Sequence, residues 1–174
     1  MKLTTGGITL FPHARLPIKG PGVTVLPKLN KNWNVTFQVW HQTQPRLYQT
    51  SKYNCMMSLL QVYLNEIPTE KTNLLKLNAG PGNRDPAIFL EKDAPLPPVR
   101  VWTNVEMSQT LDPDSRDASF TYKIKVGDSV LFSEPNRRPA VLTDVKVLVS
   151  KYGSPAANAL IRHLNIQGVE FNGE

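Results

Sequence analysis

Trp102-Thr103-Asn104-Val105-Glu106-Met107-Ser108-Gln109, then Phe120-Thr121-Tyr122-Lys123-Ile124-Lys125-Val126-Gly127-Asp128-Ser129-Val130-Leu131-Phe132-Ser133, then Leu142-Thr143-Asp144-Val145-Lys146-Val147-Leu148-Val149-Ser150, and finally Ile161-Arg162-His163-Leu164-Asn165-Ile166 fill the last third of the chain. Apolar and polar residues alternate within each piece, which puts one face of a strand in a core and the other in water. Val99, Val101, Thr103, Val105 and Met107 share one side of a strand at Val99–Ser108. Phe120, Tyr122, Ile124 and Val126 face inward from the next, and Val145, Val147 and Val149 from a strand at Val141–Val149. Asp112-Pro113-Asp114-Ser115 is turn chemistry, and Gly127-Asp128 reads as a hairpin turn into Ser129–Ser133. Leu160–Val169 closes the series. Short strands recurring at about 8–12-residue spacing predict an antiparallel β-sandwich.

Working outward, Trp33, Val35, Phe37 and Val39 repeat the same alternation, behind a brief apolar run at Val23–Leu26. Residues 1–22 carry Gly6-Gly7, Pro12, Pro17 and Gly20-Pro21-Gly22, and read as an irregular segment or edge strand, with a short strand at Gly7–Phe11. Residues 41–54 are polar and broken by Pro45, which predicts a long loop. Cys55–Leu64 fits a buried strand or a short helix, and its place between strands favours a strand. Asn65–Asn73 reads as a turn containing Pro68, Leu74–Asn78 and Ala87–Leu90 as strands around the loop 79–86, and Lys92–Pro98 as extended or turned because of Pro95, Pro97 and Pro98. The sum is roughly ten to twelve strands with no helix. One β-sandwich domain is expected to span residues 1–174.

The 174 residues suffice for a core without covalent staples. No apolar run approaches the ~18 residues that span a bilayer. The single cysteine, Cys55, precludes an intrachain disulfide and reads as a small buried hydrophobe, which suits a reducing compartment or a bridge-free extracellular domain. Met1–Pro17 lacks the apolar core and cleavage site of a secretory signal, so an extracellular protein would have lost its signal, while a cytoplasmic one stays open. A net charge of +6 raises the possibility of a polyanion. The cations are dispersed, however, with no block of five or six and no basic arm. Lys123 and Lys125 alternate with apolar neighbours and read as the solvated face of a strand.

Several of these stretches, in this order, resemble the concanavalin-like (laminin-G-like) jelly-roll modules of extracellular multidomain proteins of cnidarians and other invertebrates. Leu26-Pro27-Lys28-Leu29 through Trp33-Asn34-Val35-Thr36-Phe37 is similar to the opening of that pattern. Leu75-Lys76-Leu77 through Gly82-Asn83-Arg84-Asp85-Pro86-Ala87-Ile88-Phe89 is similar to its strand, its Gly-Asp-Arg-x-Pro-Ala loop and the next strand. Trp102–Gln109 resembles its Trp-Thr-x-Ile-x-Ile-Ser-Gln strand. Phe120-Thr121-Tyr122 to Val147, Pro155-Ala156 and Ile161-Arg162-His163-Leu164 resemble its closing segment, which ends Ile-Arg-Asn-Leu. The likeness covers about residues 23–168. Residues 41–73 are longer than the usual connection, and the usual aromatic-rich stretch before Pro155 is reduced to Tyr152. The resemblance implies two packed antiparallel sheets and an extracellular binding or adhesion role.

Glycoside hydrolysis needs paired carboxylates at fixed separation. Glu91-Lys92-Asp93 followed by Ala94-Pro95 supplies too few on a strand that prolines break, so the expectation is a protein that is not an enzyme. No cofactor is required. The resemblance implies a Ca²⁺ site at a loop rim, and since that ion wants several oxygen ligands Asn83 and Asp85, beside Arg84, are candidates, although Asn83-Arg84-Asp85 reads first as a structural turn before Pro86; Asp112, Asp114 and Asp117 are a second set that reads still more strongly as a solvated turn. Ligand-binding candidates are Trp40, His41, Asn83, Arg84, Asp85 and Tyr152. Trp40 breaks the in/out phase of its strand, and Trp102 does likewise, so each either covers a sheet face or lies exposed. The histidines show no metal spacing. Asn34-Val35-Thr36 is a glycosylation sequon with Asn34 on the polar face of its strand.

These readings converge on a non-catalytic extracellular module that binds a glycan or a protein through rim loops or the concave face of one sheet. The alternative is a structural or self-assembling matrix protein, a possible homo-oligomer. A basic polyanion-binding jelly roll ranks third, and the missing basic arm counts against nucleic acid.

Overall fold

The computed structural model describes residues 3–10, 24–44, 47–52, 58–67, 70–78, 90–94, 96–117, 119–136, 139–148 and 157–172. All its regular elements are strands: β1 (Leu3–Leu10), β2 (Thr24–His41), β3 (Leu47–Lys52), β4 (Ser58–Ile67), β5 (Glu70–Asn78), β6 (Leu90–Ala94), β7 (Thr103–Leu111), β8 (Phe120–Val126), β9 (Ser129–Asn136), β10 (Leu142–Leu148) and β11 (Ala159–Asn172). Every ladder between them is antiparallel. The chain forms the antiparallel β-sandwich its alternation predicts. No helix among the described residues is long and apolar enough to cross a membrane.

Hydrogen bonding runs along one path, β6-β3-β4-β5-β10-β2-β7-β8-β9, with β11 also on β2 and β1 on β11. The two sheets expected from the sequence are therefore joined. The joint is the 18-residue β2. Its first part, Thr24–Leu29, pairs with β10, and its second, Trp33–Val39, pairs with β7. β11 accompanies both parts along the other side. Pro27 lies in the first part, opposite the unpaired Asp144 between Thr143↔Lys28 and Val145↔Leu26. A proline has no N–H to give to a ladder, and Asp144 takes a positive φ of 52° at that point. The path rolls round far enough for its two ends, β6 and β9, to touch.

The core lies inside this roll. Trp33, Val35, Phe37 and Val39 from β2 meet Val105 and Met107 from β7, Tyr122 and Ile124 from β8, Leu74, Leu75 and Leu77 from β5, Val145 and Val147 from β10, and Ile161, Leu164 and Ile166 from β11 in one cluster. Burying each large apolar side chain contributes about 1.5–3 kcal/mol. Trp33, Tyr122 and Phe132 stack edge to face at 5.9 and 6.0 Å. A polar thread crosses the same interior: Asn136 Nδ2 donates to Gln109 Oε1 at 2.9 Å, and Gln109 Nε2 donates to the Lys31 carbonyl at 2.8 Å. Lys28 and Asn30 both reach Glu170, at 2.8 Å each, and tie β2 to β11.

Several boundaries differ from the sequence reading. Part of the expected loop 41–54 is β3, and β4 and β5 extend into the expected turn at 65–73. Val99 makes only an isolated parallel bridge to His41, and Arg100 adopts φ 58°. The chain turns there, so Val101 is exposed rather than in the core row, and the strand starts at Thr103. Gly127-Asp128 is the hairpin expected. The positive φ of 58° at Gly127 alone is the pattern of a type II′ turn. Cys55 and His13 lie outside the described residues.

Candidate functional site

The outer face of β11, β2, β7 and β8 can be built row by row from the ladder register. Residues facing out from β2 are Asn34, Thr36, Gln38 and Trp40, the positions between its buried ones. Gln38 is paired with Arg162 of β11 and Asn104 of β7. The next row is Asn165, Thr36, Glu106 and Lys125, and the one after is Gln167, Asn34, Ser108 and Lys123. Beyond Gln38, Trp40 pairs with Leu160, and Trp102 precedes β7 on the same side. Hydrogen-bonded strands lie about 4.8 Å apart and alternate residues along a strand about 7 Å. The face is thus a fixed grid with indoles at one end and lysines at the other.

Its middle is pre-ordered. Arg162 Nε donates to Gln38 Oε1 at 2.7 Å, and Gln38 Nε2 donates to Asn104 Oδ1 at 2.8 Å. The Arg162 guanidinium lies 3.8 Å from the Trp102 ring centroid, a cation–π contact. Asn34 Nδ2 donates to Glu106 Oε1 at 3.3 Å. Gln167 Nε2 donates to Asn165 Oδ1 at 2.7 Å. Between these side chains runs an open groove of about 380 Å³ lined by Thr36, Gln38, Asn104, Glu106 and His163, with the core residues Phe37 and Val105 completing the lining. Among the described residues nothing else engages the terminal N–H groups of Arg162, the second oxygen of Glu106 or the Thr36 hydroxyl, which remain for a ligand.

His163 reaches the groove because β11 is irregular there. Between the pairs Arg162↔Gln38 and Asn165↔Thr36, two residues of β11, His163 and Leu164, oppose the single Phe37 of β2, and His163 takes the extra place at φ 53°. This is a β-bulge with a non-glycine residue in the left-handed region. It holds on the order of 1–2 kcal/mol of strain and sets the exposed imidazole over the groove. A second irregularity, at Gly168, is a packing requirement. Gly168 has φ 89°, and a Cβ there would strike the Asn32 carbonyl oxygen and lie 2.9 Å from Trp33 Cα.

The described residues among those singled out from the sequence do not converge. Trp40 is half-buried at the aromatic end of the face. His41 is fully buried on the core side of β2, so its ring does not reach the groove, and burial lowers its pKa from 6.5 to about 4. Its carbonyl accepts from Arg100 N at 3.0 Å. Asn34 is half-buried in mid-strand with its amide on Glu106. Asn83, Arg84, Asp85 and Tyr152 lie outside the described residues, as does the Asn83–Asp85 metal candidate. Asp112 forms a local turn, accepting from Asp114 N at 3.0 Å through its side chain and from Ser115 N at 3.2 Å through its carbonyl. No cluster of three or more His, Cys, Asp or Glu suited to a metal occurs among the described residues.

Sequence reasoning passed over Gln38, Asn104, Glu106, Arg162 and His163. Their outward phase on alternating strands was readable. Their convergence depends on pairing β2 with β7 and β11, 66 and 124 residues away along the chain.

No family model and no curated protein matches the chain. Among solved structures, the galectin LEC-6 of Caenorhabditis elegans aligns at 6% identity and TM-score 0.41 over 91% of this chain and 98% of that one. The native heptameric SAP-like pentraxin of Limulus polyphemus aligns at 10% identity and TM-score 0.44, over 97% of this chain and 78% of that one. The receptor binding domain of botulinum neurotoxin type G aligns at 14% identity and TM-score 0.35, over 98% of this chain and 43% of that one.

Proposed function

We propose that the protein is a non-catalytic glycan-recognition module that binds through the outer face of β11, β2 and β7. The observation that carries this reading is the Arg162–Gln38–Asn104 row, hydrogen-bonded end to end and anchored on Trp102. Saccharides present vicinal hydroxyls, each both donor and acceptor, and are held by amides, carboxylates and guanidinium groups whose rotamers are fixed in advance. The groove offers that set, with indole surface at Trp40 and Trp102 beside it. Glu106 is the one carboxylate among the groove's described lining residues, whereas glycoside cleavage ordinarily requires two. An extracellular setting follows from such a ligand.

A printed array of neutral, sialylated, uronate-containing and sulfated glycans tests this. Wild-type protein is expected to retain a defined subset. Gln38→Ala and Asn104→Ala should each weaken that binding roughly tenfold, the scale of one hydrogen-bonded contact to a charged or pre-ordered partner. Retention of no glycan above background, or retention that both substitutions leave unchanged, overturns the reading.

A further inference from the structure

The basic end of the face has no role in the groove itself. Lys125 stands opposite Glu106, and Lys123 opposite Ser108, one strand beyond the groove. Both are half-buried. No ion pair closes between Lys125 and Glu106, and neither lysine has a carboxylate within ion-pair distance among the described residues. Arg162 spends its contacts on an amide and an indole, which leave its charge uncompensated. Among the described residues of this face three cations therefore stand with one carboxylate, and a like-signed array of this kind concentrates anions above it.

We infer that the ligand of this face is an anionic saccharide, sulfated or uronate-bearing, whose hydroxyl-rich part lies in the groove and whose acidic groups lie over Lys123 and Lys125. This rests on the glycan reading above and adds the ligand's charge and length. Strand spacing and rise put Lys123 about 16 Å from Gln38, a span for an oligosaccharide rather than a single sugar. Nucleic acid fits less well. Single strands are held by bases stacking on aromatic rings along a basic track, but here the indoles and the lysines occupy opposite ends, and Arg162 covers one face of Trp102.

The test compares binding to immobilised dextran sulfate and to unmodified dextran, which differ only in the acidic groups. Four proteins are used: wild type, Lys123→Gln/Lys125→Gln, Gln38→Ala, and a control of equal charge, Lys146→Gln/Arg116→Gln, at two exposed positions off this face. Wild type is expected to bind dextran sulfate and not dextran, less tightly as salt rises. The lysine pair should lose about tenfold in affinity, with the control within twofold of wild type. Equal losses in the lysine variant and the control would mean net charge alone and overturn the inference. So would no binding to dextran sulfate, or displacement by a single-stranded oligonucleotide at matched charge. Equal binding to both polymers with loss in Gln38→Ala overturns the anionic ligand and leaves the glycan reading standing. Loss in the lysine variant with full retention in Gln38→Ala keeps the anionic ligand and removes the groove.

Discussion

His163 and His41 show how differently one residue type behaves on the two faces of a sheet. His163 is exposed at φ 53°, where β11 carries an extra residue. Glycine pays no steric cost in that region, so His163→Gly is expected to raise stability by about 1 kcal/mol in urea denaturation while weakening glycan binding. Unchanged or lower stability would mean that the bulge is not strained. The signal was partly legible: the resembling pattern has Asn where this chain has His163, and Asn and His are both enriched in the left-handed region. His41, by contrast, is buried and held neutral, with its pKa lowered to about 4. The unfolded chain binds a proton at about 6.5 and the folded chain does not until about 4. Stability tied to His41 is thus full above pH 6.5 and drains away as pH falls towards 4. The loss is on the order of 3 kcal/mol at most. Thermal melts of wild type and His41→Gln across pH 7 to 4 should diverge in slope over that window, and parallel curves would remove His41 from the acid response.

At the level of elements, the bulges and the long strand decide what the sheet presents. Gly168 lets β11 pass close to Asn32 and Trp33, where β2 changes partners. Gly168→Ala combines a left-handed backbone with a backbone collision, and a loss of more than about 3 kcal/mol is expected, read as reduced soluble yield and a lower urea midpoint. A midpoint shift below 1 kcal/mol would show that β11 can move aside. Phe37, 2% exposed in the middle of β2, should cost about 3–5 kcal/mol on substitution by alanine. Strand existence was readable wherever alternation was strict, as at Trp33–Val39 and Phe120–Val126. It was not readable for β3, whose Leu47-Tyr48-Gln49-Thr50 is polar and follows Pro45, because its pairing with β4 and β6 is what makes it a strand. The site was hidden for the same reason. Gln38, Asn104 and Arg162 are ordinary outward residues in one dimension and neighbours only once the ladders form.

For the molecule as a whole, the arrangement of the core makes a definite claim about cooperativity. The buried cluster draws on β2, β5, β7, β8, β10 and β11 together. β2 belongs to both halves of the strand path, so each half shares that strand and its buried side chains with the other. A chain built this way should unfold in a single transition, as one domain does. The tryptophans allow this to be checked locally. Trp33 is 3% exposed within the core, whereas Trp40 and Trp102 are half-buried on the outer face. Emission from a variant retaining only Trp33 reports the interior, and far-ultraviolet circular dichroism reports all strands. In urea the two signals are expected to coincide in midpoint and slope, with the slope near that of a domain of this length, about 1–3 kcal/mol per molar. Separate midpoints would mean that the β3–β6 half opens before the half carrying the groove, and the continuous path through β2 would then not couple them. A variant with Gly168→Ala sharpens the comparison. If β2 couples the halves, damage at its contact with β11 must lower both signals equally, including the part contributed by strands on the far side of the roll.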